Sequence, residues 1–203
     1  MEHLLSYITN IVTGAIEHMG YFGVAFLMAL ESACIPVPSE LIMPYAGFLV
    51  SKGSFGFWQI VFWGTVGQTF GSIVTYWIGA TEGRILLEKY GKYVLIKKSH
   101  IEHADKWFDK FGPRVVFFGR MVPVIRTFIS LPAGLSEMSF SKFVLYSVLG
   151  IIPWTIFLGY LGVYLGDNWN SLKVYFHGAD AIVFGAIIGG AGYLIYKNLS
   201  RKA

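Results

Sequence analysis

Cysteine is nearly absent. Cys34 stands alone, so no disulfide can form within the chain, and its apolar neighbours mark it as a small packing residue. Charge is scarce as well. Only 14% of the 203 residues are charged, where a soluble domain carries roughly a quarter. With 55% hydrophobic and 17% aromatic residues, this excludes an ordinary water-soluble domain and indicates one integral membrane domain spanning residues 1–203. The chain also lacks a G-x-S-x-G nucleophile elbow and an H-E-x-x-H zinc helix, which removes two common hydrolase chemistries. Met1-Glu2-His3 has no basic n-region and no A-x-A site follows, so no cleaved signal peptide is expected.

The net charge is +4, and its distribution carries more information than its size. Arg84, Lys89, Lys92, Lys97, Lys98, Lys106, Lys110 and Arg114 fall in one stretch, and Lys197, Arg201 and Lys202 close the chain. Blocks of this kind follow the positive-inside rule rather than a nucleic-acid footprint.

The apolar segments divide in two kinds. Some are long enough to cross: 58–79, 143–165 (with a kink expected at Pro153) and 181–196. Trp58 and Trp77 lie nineteen residues apart, or ~28 Å along a helix, which suits an aromatic belt at each interface. Gly64, Gly67 and Gly71 share a face of that first span and permit close approach of another helix, or a lateral opening. Two other segments are broken by proline. Residues 21–50 are interrupted at Pro36 and Pro38, and 113–136 at Pro123 and Pro132. Arms of 12–15 residues reach only ~20 Å, short of the ~30 Å hydrocarbon core, so each segment reads as a re-entrant hairpin. Ser39 is placed to cap the second arm of the first hairpin.

Two amphipathic helices complete the inventory. Leu4, Ile8, Ile11, Val12 and Ala15 form a stripe in residues 1–19, expected on the membrane surface. In 81–112, Ser99-His100-Ile101-Glu102 forms a capping box ahead of the stripe Ile101, Ala104, Phe108, Phe111, which indicates an interfacial or cytoplasmic helix. His100, His103 and Asp105 in that stretch are solvated, and no metal site is expected.

Parity orients these elements. Both basic blocks belong on the cytoplasmic side, and two full spans lie between them, so 113–136 must return to its own face. The span 58–79 then places the first hairpin on the outer side. The expected fold is therefore all-α: a polytopic membrane protein with two opposed re-entrant hairpins in an inverted repeat, about three full spans, amphipathic helices and a cytoplasmic C-terminus.

Charge inside these hairpins is the sharpest functional signal. Glu31 and Glu40 bracket the first break, and Arg120 and Arg126 the second. A charge in hydrocarbon costs from ~3 to more than ~10 kcal/mol, so it persists where it pairs or lines a wet cavity. Ion pairs that merely fix the fold are one explanation, although buried pairs stabilise poorly compared with apolar packing. The other is anion recognition. Two guanidiniums suit phosphate, and the helix start after Pro123 adds backbone donors. Protonation of Glu31 or Glu40 would release an arginine for that anion. Thr127, Ser130 and Ser136 are further hydrogen-bonding candidates. No histidine falls in either broken segment, which counts against a phosphate-ester hydrolase.

At these residues the chain resembles the DedA family, whose shared unit is the VTT domain. The resemblance lies in Glu31-Ser-Ala-Cys-Ile-Pro36-Val-Pro38-Ser39-Glu40, in Gly119-Arg120-Met-Val-Pro123-Val-Ile-Arg126-Thr127 and in Pro132-Ala133-Gly134. It implies two opposed re-entrant hairpins and, in the members it is most similar to, recycling of undecaprenyl phosphate across the bacterial cytoplasmic membrane. Under it, Arg120, Arg126 and Thr127 take the phosphate while Glu31 and Glu40 exchange protons. The implied partners are the polyprenyl phosphate, protons and membrane lipids, with no cofactor, no metal and no nucleic acid; self-association stays open. A non-specific phospholipid scramblase or a proton-dependent small-molecule transporter is the alternative within the family.

Overall fold

The computed structural model describes residues 2–35, 37–81 and 112–166. All regular structure among them is helical: α1 (Glu2–Met19), α2 (Tyr21–Ser32), α3 (Ser39–Ser51), α4 (Phe57–Thr81), α5 (Arg114–Met121), α6 (Pro123–Phe128), α7 (Ser130–Leu135) and α8 (Phe140–Leu165). The expected helix in 81–112, the span 181–196, His100, His103, Asp105 and Pro36 lie outside the described residues. Among the described helices, α8 is the one both long and apolar enough to cross a membrane.

The first break begins before its prolines. Cys34 N–H bonds the Glu31 carbonyl and Ile35 N–H the Leu30 carbonyl, each at 3.1 Å, which is the Schellman closure of a helix end. Cys34 takes the left-handed position with φ 64°, a place that glycine usually fills. The chain restarts at Pro38, whose backbone caps α3. Ser39 is not the cap expected from its position: it is the first helical residue, and its hydroxyl makes no cap bond because it faces the neighbouring charges.

The second break is sharper. Val122 is extended (φ −98°, ψ 119°) and Pro123 starts α6 as its first residue, where the missing N–H costs nothing. The interruption due to Pro132 falls one turn earlier, at Ile129 between α6 and α7, because the proline ring crowds the carbonyl four residues back.

Small residues decide how the arms pack. A Cβ at Gly67 would strike the Ala25 carbonyl and one at Gly71 the Ala29 carbonyl, so α2 lies directly on α4. Gly79 meets Leu131 and Gly134 meets Tyr76, which seats α7 on α4 as well. In the same way Gly47 meets Gly159 and Gly162 meets Pro44, bringing α3 onto α8, while Gly150 meets Phe117 and Arg120 of α5. The first and last arms thus share α4, and the inner two share α8. These glycines are filled by helix contacts, so Gly67 and Gly71 form no lateral opening.

Polarity is inverted relative to a soluble protein. Phe62, Val66, Phe70, Val74 and Trp77 make an exposed apolar stripe along α4, while Gln68, Ser72 and Thr75 are buried on its other side. Trp58 and Trp77 are both exposed. A surface of this kind is stable against lipid and not against water. On α1, Val12 and Ile16 are buried and Ile11 faces outward. Tyr45 of α3 donates its hydroxyl hydrogen to Glu17 and ties α1 down.

Candidate functional site

The two breaks meet. Glu31 is the penultimate residue of α2 and Arg120 the penultimate residue of α5; Glu40 and Arg126 lie in the first turn after each break. Cys34 Sγ lies 3.7 Å from the Thr127 carbonyl, joining one break to the other.

Arg126 is the centre of the cluster and is 2% exposed. Its Nη2 donates to Glu40 Oε1 at 2.6 Å and to Ser39 Oγ at 2.5 Å, and stands 3.2 Å from Glu31 Oε1. Glu31 is almost as buried, at 4%. It also accepts from the Ser39 hydroxyl at 3.4 Å and from Gln68 Nε2 of α4 at 3.4 Å. Trp154 of α8 lies under the guanidinium, 4.7 Å from Cζ to the ring centroid. Cation–π contact of this kind holds a planar cation in a fixed orientation.

Arg120 is placed differently. Nη1 donates to the Arg126 carbonyl at 2.9 Å, and Nη2 to Ser130 Oγ at 2.7 Å and Ser147 Oγ at 3.3 Å. It makes no ion pair among the described residues. Its charge is therefore held by neutral dipoles, and its terminal nitrogens span the second break like a brace.

Glu31, Glu40 and Arg126 come together as the sequence indicated. Thr127 contributes its carbonyl to the Cys34 contact, and Ser130 serves Arg120. Pro38 and Pro123 stand at helix starts on either side of the cluster. Ser39 was read for another role, and Gln68, Ser147 and Trp154 were not singled out from sequence. Ser39 looked like a cap, Gln68 was hidden between Gly67 and Gly71, and Trp154 belonged to an aromatic-rich span. The available signal was an uncharged amide in the middle of an apolar span, beside small residues.

Around Arg126 two carboxylates compete for one nitrogen, while Nη1 and Nε are buried with no hydrogen-bond partner. A buried guanidinium donor without an acceptor is costly.

The VTT domain family matches residues 37–164. The chain belongs to this family, the DedA proteins. It is 45% identical over 173 residues to undecaprenyl phosphate transporter A of Bacillus subtilis, covering 85% of this chain and 81% of that one. The transporter of the same name in Staphylococcus aureus is 29% identical over 197 residues, covering 95% and 97%. A Lactococcus lactis relative named alkaline phosphatase-like protein is 34% identical over 185 residues, covering 89% and 86%. No solved structure matches the chain. For this DedA protein the break charges are thus set in a family of membrane proteins.

Proposed function

We propose that this DedA protein is a flippase that returns undecaprenyl phosphate across the bacterial cytoplasmic membrane, coupled to protons. The observation that carries the proposal is the Arg126 cluster: a buried guanidinium with two unpartnered donors and two carboxylates on one nitrogen. The similarity to two proteins named undecaprenyl phosphate transporter A gives the substrate class.

In this mechanism the isoprenoid tail stays in lipid and only the phosphate crosses the cluster. A proton taken up by Glu31 or Glu40 weakens that carboxylate's hold on Arg126 Nη2. Nη2 and the vacant Nη1 then form the end-on fork that suits two phosphate oxygens. Thr127, the next residue along α6, would offer its hydroxyl to the same phosphate. Arg120 supplies a second positive charge and braces the break. Loss of the proton returns the carboxylate to Nη2 and displaces the phosphate.

The topology proposed is two opposed re-entrant hairpins, about three full spans, and a cytoplasmic C-terminus, with α1 at the membrane surface. The exchange of packing partners supports it: α2 pairs with α4 as α5 does with α8, and α3 with α8 as α7 does with α4. Gly67 and Gly79 of α4 and Gly150 and Gly162 of α8 are moreover separated by the same twelve residues.

Reconstitution tests the proposal. Vesicles carrying the protein should translocate undecaprenyl phosphate faster than phosphatidylethanolamine or phosphatidylglycerol, with no inorganic phosphate released. Equal rates for all lipids would instead identify a scramblase, and release of free phosphate a hydrolase.

A further inference from the structure

We infer that Trp154 is a ligand of the phosphate, its indole N–H donating to an oxygen of the same anion that Arg126 holds. The inference rests on the flippase reading above and adds a residue to that site.

Trp154 Nε1 is buried and has no hydrogen-bond partner. The indole nitrogen is a donor only, and a buried tryptophan N–H ordinarily finds an acceptor. The residue it lies against has the same deficit. Arg126 Nε and Nη1 are buried without acceptors, and its Cζ is 4.7 Å from the Trp154 ring. Two side chains in contact, one from the second break and one from α8, thus carry three unpartnered donor nitrogens and no acceptor between them. The acceptors that touch Arg126 do so elsewhere: Ser39 and one oxygen of each glutamate face Nη2, and the Arg126 carbonyl takes Arg120, while Gln68 Oε1, the other unpartnered polar atom of the cluster, is a single neutral acceptor. A tetrahedral oxyanion is the group that answers this imbalance, because one phosphate offers several acceptor oxygens and reaches donors on both residues.

The position also gives Trp154 a selective role. Its ring face supports the guanidinium while its edge addresses the ligand. A zwitterionic phosphodiester presents fewer charged oxygens than a phosphomonoester, so a third donor favours the monoester. Pro153 precedes Trp154 inside α8 and removes one helical donor there.

The test uses full-length protein in micelles, with nitrogen-15 in the indole groups and farnesyl monophosphate as the probe. Six tryptophans give six indole signals at most, and the one lost in Trp154→Phe is assigned to Trp154. On titration that signal should move downfield, in step with binding followed by calorimetry. Trp154→Phe keeps the ring under Arg126 and deletes the donor, and it should weaken binding about tenfold or more, as expected for a hydrogen bond to a charged group. An unmoved indole signal during binding, or unchanged affinity in Trp154→Phe, overturns the assignment of Trp154 while Arg126→Ala still abolishes binding. Failure of the native chain to bind the probe at all overturns both this inference and the flippase reading.

Discussion

The two arginines should fail in different ways, and lysine substitution separates them. In Arg126→Lys one ammonium can still meet Glu40, now 2.6 Å from Nη2, but the second donor for the anion and the planar stack on Trp154 are lost. A hydrogen bond to a charged group contributes about 1.5–3 kcal/mol, and a cation–π contact ~0.5–2 kcal/mol. Together these give about 2–5 kcal/mol, or roughly 30-fold to several-thousandfold weaker phosphate binding. Arg120→Lys removes part of a brace that runs to a carbonyl and two hydroxyls. Its cost falls on the fold, about 1–3 kcal/mol, while the protein that remains folded should bind within about fivefold of native, since no phosphate contact is deleted. Calorimetry with farnesyl monophosphate and thermal unfolding in detergent read the two effects separately. Arg120→Lys weakening binding as severely as Arg126→Lys, with unfolding unchanged, would refute the division of roles.

Other expectations follow from the same geometry. Ser39→Ala removes a hydroxyl shared by Arg126 and Glu31 and should lower transport without lowering the amount of folded protein, measured as rate per reconstituted molecule. Glu31→Gln cannot exchange its proton, so the rise in transport with falling pH should flatten; a profile identical to native in both Glu31→Gln and Glu40→Gln would remove the coupling. Gly71→Val places atoms against the Ala29 carbonyl and Ser32, and this overpacking should cost about 1–3 kcal/mol, seen as a fall of several degrees in the unfolding midpoint.

How much was legible before any coordinates follows from the physics of each residue. Proline writes its effect into the backbone, so the breaks near Pro38 and Pro123 could be placed within a turn. Charge in an apolar run is conspicuous, so Glu31, Glu40 and Arg126 could be grouped. Glycine spacing disclosed the α4 face that takes α2. Side-chain direction was not legible. Arg120 and Arg126 look equivalent in a string, yet one turns inward onto Ser130 and Ser147 and the other meets the glutamates. Ser39 was misjudged because a serine after a proline break ordinarily caps; here Pro38 holds the cap position, which frees the hydroxyl for Arg126. Gln68 and Trp154 acquire their roles only when α4 and α8 are brought around the breaks. On α1 the periodicity was clear, but its contacts with α2 through Gly23 and with α3 through Tyr45 and Glu17 were not.

The most direct measurement is the outer-leaflet exposure of undecaprenyl phosphate in bacterial cells that lack this protein, complemented with native or Arg126→Ala protein at equal membrane abundance. Native protein should clear the carrier lipid from the outer leaflet, and Arg126→Ala should leave it exposed as in the uncomplemented cells. Clearance by Arg126→Ala at the native rate would contradict a phosphate path through the paired breaks.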